Sequence, residues 1–214
     1  PLASGKVNKN SALLLSIILI LGTFVFSYIL DIYFFYTIIL IFLVSFLYTF
    51  FLKNEAFVDI ITVSVDYVLR AVSGAYLIQV KISPWLVVGT FFLALYLITA
   101  KRKGDLEFLG KKASSHKKSL RYYTKDIIDH ILQSTVTILI IVYTLYCFLG
   151  NNETLIITLP FALYCVYRHV SLVYSGSEIA RNPGSLVRDK RIMSALLLWF
   201  IVAFMVFYLP IFSF

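Results

Sequence analysis

Seven long apolar segments constrain the fold of this 214-residue chain more than any other feature. They lie at residues 11–30, 33–52, 57–80, 84–100, 127–149, 153–174 and 192–212. Each has about 17–24 residues, which is enough to cross the roughly 30 Å hydrocarbon core of a bilayer as a helix. Lipid admits only helices and closed barrels, and these segments lack the two-residue alternation of barrel strands. The sequence therefore predicts an all-α, polytopic membrane helical bundle.

The composition supports the membrane class. The chain is 60% hydrophobic and 14% charged, whereas soluble domains are typically about 45–50% apolar and about 25% charged. No internal repeat or low-complexity linker separates the segments, so residues 1–214 are expected to form a single integral-membrane domain. Cys147 and Cys165 both lie inside predicted spans, and we interpret them as packing residues rather than a disulfide.

Basic residues are concentrated in alternate connections between the spans. Of the 19 lysines and arginines, Lys81 alone lies in the opposite connections, while Arg70 and Arg168 lie within spans. The positive-inside rule then places the N-terminus and the basic loops in the cytoplasm and the C-terminus outside a cell (plasma) membrane. The polar loop between spans four and five is the most basic, which suits anionic lipid head groups or phosphate-bearing substrates.

The third span carries charged residues at membrane depth. Asp59, Asp66 and Arg70 fall on one helix face together with Thr62 and Ser73. Each charge there costs roughly 2.5–3.5 kcal/mol on insertion scales, so the stripe is expected to line a polar cavity. Asp66 and Arg70 are also four residues apart, so an internal ion pair that neutralises both is an equal alternative.

Three chemically useful side chains are predicted to meet at one membrane face. Tyr48 and Lys53 end the second span, and Asp59 begins the third. Lysine suits a phosphate, and a carboxylate suits a hard cation such as Mg²⁺. The alternative is an interfacial tyrosine and a snorkelling lysine beside a helix-start aspartate. Lys101 and Arg102 directly follow the fourth span, and cations at a helix C-terminus also complement the helix dipole.

Further polar residues lie inside the fifth and sixth spans. One face of the fifth span carries Asp126, His130, Gln133 and Thr137. We interpret its histidine as a hydrogen-bonded interior residue rather than a base. Arg168 and His169 lie deep in the sixth span, so the arginine either has an anionic partner or snorkels to the interface. Zinc-binding spacings and a glycine-rich phosphate loop are absent from the sequence.

Several short motifs occur in order along the chain. They are Pro1-Leu-Ala-Ser-Gly-Lys-Val7, Tyr48-x-x-x-Leu-Lys53 with Asp59, Val68-Leu-Arg70-Ala-Val-Ser-Gly74, Ile82-Ser-Pro-Trp-Leu86, Phe91-Phe-Leu-Ala-Leu95 and Lys101-Arg102. The first resembles the Arg-Pro-Leu-x-Ser-Gly-x-Ile segment of the UbiA superfamily of intramembrane prenyltransferases. The others are similar to its decaprenyl-phosphate phosphoribosyltransferase-like branch. The resemblance covers nearly the whole chain.

This resemblance implies a reaction and a set of residue roles. A 5-phosphoribosyl group would pass from phosphoribosyl diphosphate to a polyprenyl phosphate with Mg²⁺ as cofactor. The partners would be these two substrates and membrane lipids, with no nucleic acid. Asp59 would assist Mg²⁺ or the sugar, and Tyr48 would orient its neighbours. The implied phosphate-binding residues are Lys53, Lys101, Arg102, Arg70 and Arg121.

The chain departs from the superfamily pattern in two places. The superfamily's second Asp-rich motif corresponds here to Lys101-Arg-Lys-Gly-Asp-Leu-Glu107, and cations in place of carboxylates favour a substrate phosphate over a second metal. The first Asp-rich motif, the main metal site, would precede Pro1. Seven of the superfamily's nine spans are present, so the chain is expected to be a C-terminal portion that is inactive on its own.

Two alternative functions stay open. One is a UbiA prenyltransferase that attaches a prenyl chain to an aromatic or other small acceptor. The other is a non-catalytic membrane transporter or lipid-translocating subunit that uses the same polar cavity for passage. Inverted repeats or helices broken by Gly and Pro in corresponding halves would indicate transport, and the sequence displays neither.

Overall fold

The computed structural model describes residues 2, 4–109, 119, 122–150, 152–177, 179 and 183–208. Seven helices in these ranges are long and apolar enough to cross a membrane, and the described residues contain no strand. This confirms the all-α membrane bundle. The helices are α1 (Lys9–Leu30), α2 (Ile32–Phe50), α3 (Val58–Leu77), α4 (Pro84–Leu109), α5 (Lys125–Leu149), α6 (Leu159–Tyr174) and α7 (Lys190–Tyr208).

Short 3-10 helices lie in the described parts of several connections. Leu52–Asn54 joins α2 to α3, Glu153–Thr158 leads directly into α6, and Pro183–Arg188 precedes α7. Consecutive spans run in opposite directions, so the connections divide between two faces. We call the side of the α2–α3, α4–α5 and α6–α7 connections the basic face, and the side of the α1–α2, α3–α4 and α5–α6 connections the far face.

The polar loop expected after the fourth span begins later than predicted. Helix α4 continues to Leu109, so the first nine residues assigned to that loop are helical. Its charges alternate in sign at helical spacing: Arg102 lies 3.8 Å from Asp105, and Lys103 lies 3.8 Å from Glu107. Such pairs support a helix beyond its apolar part. Lys101 and Arg102 therefore stand on a helix rather than at the start of a loop.

The protein is a multi-pass membrane protein whose interior lies between its later helices. The main buried cluster is formed where α4, α5 and α6 meet, by Tyr96, Ala100, Leu132, Val136 and Val173. Helix α1 packs mainly on α2. Large apolar side chains on α1, α2 and α7 are widely exposed, as expected for helix surfaces that contact lipid rather than water.

Helices α3 and α6 end in the same backbone motif with different residues. At the end of α3, Gln79 N–H donates to the carbonyl of Tyr76, and Val80 N–H donates to that of Ala75. These two bonds define a Schellman motif, whose first residue beyond the cap has positive φ. In α6 that position is Gly176, with φ of 67°. In α3 it is Gln79, with φ of 55°.

Candidate functional site

Asp59 is the centre of a buried polar network at the basic face. Its side chain is 0% exposed in the first turn of α3. Arg102 Nε on α4 donates to Oδ2 at 2.9 Å, and the Ser119 hydroxyl donates to the same oxygen at 3.3 Å. The Tyr123 hydroxyl donates to Oδ1 at 2.8 Å. The network therefore joins α3, α4 and the connection that leads into α5.

The Asp59–Arg102 ion pair is buried, which favours a structural role for it. The Arg102 side chain is only 7% exposed, so neither charge is solvated by water. A buried pair is tolerated when good geometry and further hydrogen bonds compensate for the lost hydration. Both oxygens of Asp59 receive such bonds. In this arrangement Asp59 fixes the start of α3 against α4 and does not present a free carboxylate.

Tyr123 connects Asp59 to a strained backbone position. Phe57 has a φ of 63°, which is rare for a residue with a side chain. Its N–H donates to the Tyr123 hydroxyl at 2.7 Å, and the two rings meet edge to face at 5.3 Å. Burial raises the pKa of Tyr123, the Phe57 N–H lowers it, and the Asp59 carboxylate raises it again. The net pKa is above its usual value, so the hydroxyl stays protonated and donates to Asp59.

The remaining residues predicted around Asp59 lie at the edge of this network. Lys53 is exposed in the 3-10 helix before α3, and Tyr48 is half-buried in the last turn of α2. Lys101 is half-buried on α4, directly before Arg102. No ion pair links Lys53 or Lys101 to another described residue. Both lysines can therefore receive an anion at the basic face. Arg121 lies outside the described residues.

Arg70 and Asp66 form the internal ion pair that was the alternative to a cavity-facing arginine. Arg70 Nε lies 2.9 Å from Asp66 Oδ2, and the Arg70 side chain is 58% exposed. The Ser45 hydroxyl on α2 lies 3.5 Å from the other oxygen of Asp66. Arg70 is eleven residues after Asp59, about 16 Å along the helix. The structure therefore separates Arg70 from the Asp59 network.

Lys103 is a buried cation on α4, whereas the sequence analysis assigns it to the polar loop between spans four and five. Its side chain is 3% exposed, and its ammonium pairs with Asp129 on α5 and, at 3.8 Å, with Glu107. The same ammonium lies 3.3 Å from the ring centroid of Tyr174 on α6. Cation–π contact and ion pairing together compensate for its burial. Lys103 thus joins α4, α5 and α6 at the basic face.

Two more predicted polar positions have partners in the structure. Arg168 donates to Asp189 through Nε at 3.2 Å and through Nη2 at 2.8 Å, so it has an anionic partner. The backbone N–H of Ile192 and then the Arg168 guanidinium hold the pKa of Asp189 below its usual value. His169 is buried, and its Nδ1 lies 2.6 Å from the Tyr96 hydroxyl.

The histidine of the fifth span differs from its prediction. His130 is exposed on α5 rather than interior, because the apolar residues of α5 face the core and turn its polar stripe outward. The cysteine prediction is confirmed: Cys147 and Cys165 are both free, the first buried and the second half-buried.

The described residues do not fit a Mg²⁺ site around Asp59. Both of its oxygens already accept hydrogen bonds from Arg102, Tyr123 or Ser119. No group of three or more His, Cys, Asp or Glu side chains within the described ranges could hold a metal ion. A hard cation needs several oxygen ligands. The metal role of Asp59 stays a prediction, and no metal-dependent step is assigned to these residues.

Comparison with known proteins adds independent information. The sequence profile of the UbiA prenyltransferase family matches residues 1–182. The chain is 26% identical over 159 residues to the decaprenyl-phosphate phosphoribosyltransferase of Mycolicibacterium smegmatis, covering 74% of this chain and 50% of that protein. It is 25% identical over 173 residues to the Corynebacterium glutamicum protein of the same name, covering 77% and 52%. The chain spans about half the length of these relatives.

Proposed function

The chain belongs to the UbiA prenyltransferase family, and we propose that it takes part in transferring a 5-phosphoribosyl group from phosphoribosyl diphosphate to a polyprenyl phosphate. The family match supports the resemblance seen in the motifs. The choice of reaction rests on relatives that are named decaprenyl-phosphate phosphoribosyltransferases. It also rests on the residues at the end of α4.

The observation that carries the proposal is the run of three consecutive cations, residues 101–103, in α4. Lys101, Arg102 and Lys103 stand where the superfamily resemblance calls for a second carboxylate-rich motif. Arg102 and Lys103 are buried in ion pairs, whereas Lys101 has no described ionic partner. A lysine ammonium suits a phosphate as a point charge. This arrangement favours binding of a substrate phosphate over binding of a second metal.

The geometry suggests separate roles for the candidate residues. Lys53 precedes Asp59 by six residues, and Lys101 directly precedes Arg102. The buried Asp59–Arg102 pair therefore positions the two segments that carry the phosphate-binding lysines. Tyr48 lies in the helix end beside Lys53 and would orient it. Arg121 belongs to the proposal as an additional phosphate ligand. The phosphate role of Arg70 stays a prediction outside this group, because Arg70 pairs with Asp66 and lies about 16 Å along α3 from Asp59.

The proposed reaction needs positioning and charge compensation from the protein. The bond between the ribose anomeric carbon and the departing diphosphate breaks, and a lipid phosphate oxygen forms the new bond to that carbon. Positive charge develops on the sugar while negative charge leaves with the diphosphate. Lysines at the basic face lower the activation barrier in two ways. They hold the diphosphate and the lipid phosphate in the orientation needed for reaction, and they stabilise the negative charge on the departing diphosphate.

The proposal includes an orientation and a cofactor. The basic face would be cytoplasmic and the C-terminus outside a plasma membrane, in line with the positive-inside rule. Phosphoribosyl diphosphate would then reach Lys53 and Lys101 from the cytoplasm. Mg²⁺ dependence is expected from the family, with no ligands assigned among the described residues.

Equilibrium binding to the protein in lipid nanodiscs tests the proposal. We expect Mg²⁺-dependent binding of phosphoribosyl diphosphate, weakened about 10- to 100-fold in Lys101→Met and in Lys53→Met, since a charge-assisted hydrogen bond contributes about 1.5–3 kcal/mol. Arg191→Met removes an exposed cation from the same face and should change affinity less than about two-fold.

Three outcomes would contradict the proposed reaction. Binding of a prenyl diphosphate without affinity for phosphoribosyl diphosphate would indicate prenylation of a small acceptor. Substrate flux across the bilayer without turnover would indicate a transporter. Equal weakening by Lys101→Met and Arg191→Met would mean that the binding reflects only the general charge of the basic face.

A further inference from the structure

A large cavity opens between the helices at the far face. Its volume is about 1060 Å³, at the upper end of the range of about 300–1,000 Å³ that is usual for small-molecule sites. Helices α4 and α5 form one side, and α6 and α7 form the other. Its walls are mostly aliphatic and aromatic, so an apolar occupant is indicated.

Two polar side chains on the wall, Tyr143 and Trp199, already have hydrogen-bond partners within the protein. Trp199 Nε1 donates to the Tyr143 hydroxyl at 2.7 Å. Tyr143 is hydrogen-bonded to Thr158, and the Thr158 hydroxyl donates to the carbonyl of Leu155 at 2.6 Å. Because the single hydroxyl proton of Thr158 is donated to Leu155, the Tyr143 hydroxyl is the donor in its hydrogen bond with Thr158. Because these groups are already hydrogen-bonded, they do not need a polar group from a ligand. This part of the wall therefore suits an apolar ligand.

The depth of the cavity matches one leaflet of a bilayer. Its lining runs along α4 from Pro84 to Leu93 and along α5 from Leu139 to Leu149, or about 14 Å and about 15 Å of helix. Half of a hydrocarbon core of roughly 30 Å is about 15 Å. A fatty acyl chain that enters from the far face would therefore occupy the cavity along its length.

Lys81 supplies the one charge among the described residues that line the cavity. It is exposed at the far face, just before α4 begins, and no described residue forms an ion pair with it. Glu153, the acidic residue of the neighbouring connection, does not line the cavity. The cavity thus combines an apolar interior with a cation at the level of lipid head groups.

We propose that this cavity is a binding site for an anionic phospholipid of the far leaflet, with one acyl chain between α4, α5 and α6 and the phosphate at Lys81. The site is separate from the candidate transferase site. The cavity wall on α4 ends at Leu93, and Arg102 in the buried network follows nine residues later, about 14 Å further along the helix. The proposal does not depend on the transferase function.

Tryptophan fluorescence provides a direct test, because both tryptophans of the chain, Trp85 and Trp199, line the cavity. The probes are phosphatidylglycerol and phosphatidylcholine with brominated acyl chains, titrated into the protein in detergent micelles. We expect saturable quenching by both lipids. Phosphatidylglycerol should bind about five-fold more tightly, the factor that corresponds to about 1 kcal/mol for one lysine near a head group.

Two variants separate the acyl-chain contact from the charge contact. A Cβ at Gly89 meets no atom within 4 Å, so Gly89→Phe fills the cavity without a backbone clash and should remove saturable quenching by both lipids. Gly74 on α3 is equally open but lies away from the cavity, and Gly74→Phe should leave quenching unchanged. Lys81→Gln should make the affinities for the two lipids equal.

The proposal is overturned if the wild-type protein binds the two lipids equally or if Gly89→Phe leaves quenching intact. It is also overturned if unlabelled polyprenyl phosphate displaces the brominated lipid more effectively than unlabelled phosphatidylglycerol does, since the cavity would then hold part of a prenyl chain. Lys81→Gln changes only an exposed residue, so it decides the charge contact even if Gly89→Phe does not fold.

Discussion

Replacing Arg102 with methionine should destabilise the protein by about 3–4 kcal/mol. The change leaves the Asp59 carboxylate, which is 0% exposed, without its ionic partner. Removing one partner of a buried pair typically costs about 3–5 kcal/mol. The hydroxyl donors Ser119 and Tyr123 remain and favour the lower half of that range.

A double-mutant cycle isolates the pair from the effect of the lost arginine side chain. Asp59→Asn should itself be destabilising, because it leaves the Arg102 guanidinium buried without a counter-charge. The double variant Asp59→Asn/Arg102→Met has neither charge and should be more stable than Arg102→Met alone. We expect a coupling energy of at least about 2 kcal/mol, within the range of about 0.5–3 kcal/mol for residues in contact.

Reversible unfolding by sodium dodecyl sulfate in mixed micelles measures these free energies. Arg191→Met, which removes an exposed arginine from the same face, is the matched control and should cost less than about 0.5 kcal/mol. A coupling energy below about 0.5 kcal/mol, or equal losses for Arg102→Met and Arg191→Met, would refute the reasoning. Either result would mean that the pair is solvated.

Three further variants test the Tyr123 hydrogen bond, the end of α3 and the start of α7. Tyr123→Phe removes a donor to Asp59 and should cost about 1–3 kcal/mol in the same unfolding assay, whereas a loss below about 0.3 kcal/mol would contradict the hydrogen bond. Gln79→Gly places glycine at the positive φ that ends α3 and should raise stability by about 0.5–1 kcal/mol; a lower melting temperature would count against it. The backbone of α7 and then Arg168 lower the pKa of Asp189 below its ordinary 3.8. Ionised Asp189 therefore stabilises the folded protein above pH 3.8, and this contribution is lost as the pH falls through the lower pKa of the folded state. Asp189→Asn should therefore be destabilising at neutral pH, with a difference from the wild type that shrinks below about pH 3.8; a pH-independent difference would contradict this assignment.

The sequence predicted the seven spans well because a membrane span is a local property. Length and hydropathy are enough to identify it, and the structure has a helix long and apolar enough to cross a membrane at each of the seven places. The Asp66–Arg70 ion pair is also a local feature, because its members are four residues apart, and the structure contains it. It failed at the end of α4, where hydropathy falls while alternating charges continue the helix to Leu109. The spacing of opposite charges by three and four residues indicates this extension of the helix. It is seen by looking for helical periodicity, not by averaging hydropathy.

The partners of the buried charges could not be predicted in the same way, because they are distant in sequence. Asp59 and Arg102 are 43 residues apart, and Arg168 and Asp189 are 21 apart. Tyr123 was missed altogether because a tyrosine before a span is an ordinary interfacial residue in sequence terms. Only packing brings its hydroxyl between Asp59 and the N–H of Phe57. The single-domain assignment and the phosphate-binding roles stay predictions.

The helices are held together by buried ion pairs at the basic face and are separated by an apolar cavity at the far face. This difference links the two proposals. At the basic face, Asp59–Arg102 joins α3 to α4, and Lys103 joins α4 to α5 and α6. Buried ion pairs require close, fixed geometry, so these helix ends are held together where Lys53 and Lys101 would bind phosphate. At the far face the same helices separate around the cavity. Apolar walls without contact partners lose dispersion energy, so a lipid chain that fills the space should stabilise the open end without disturbing the closed one.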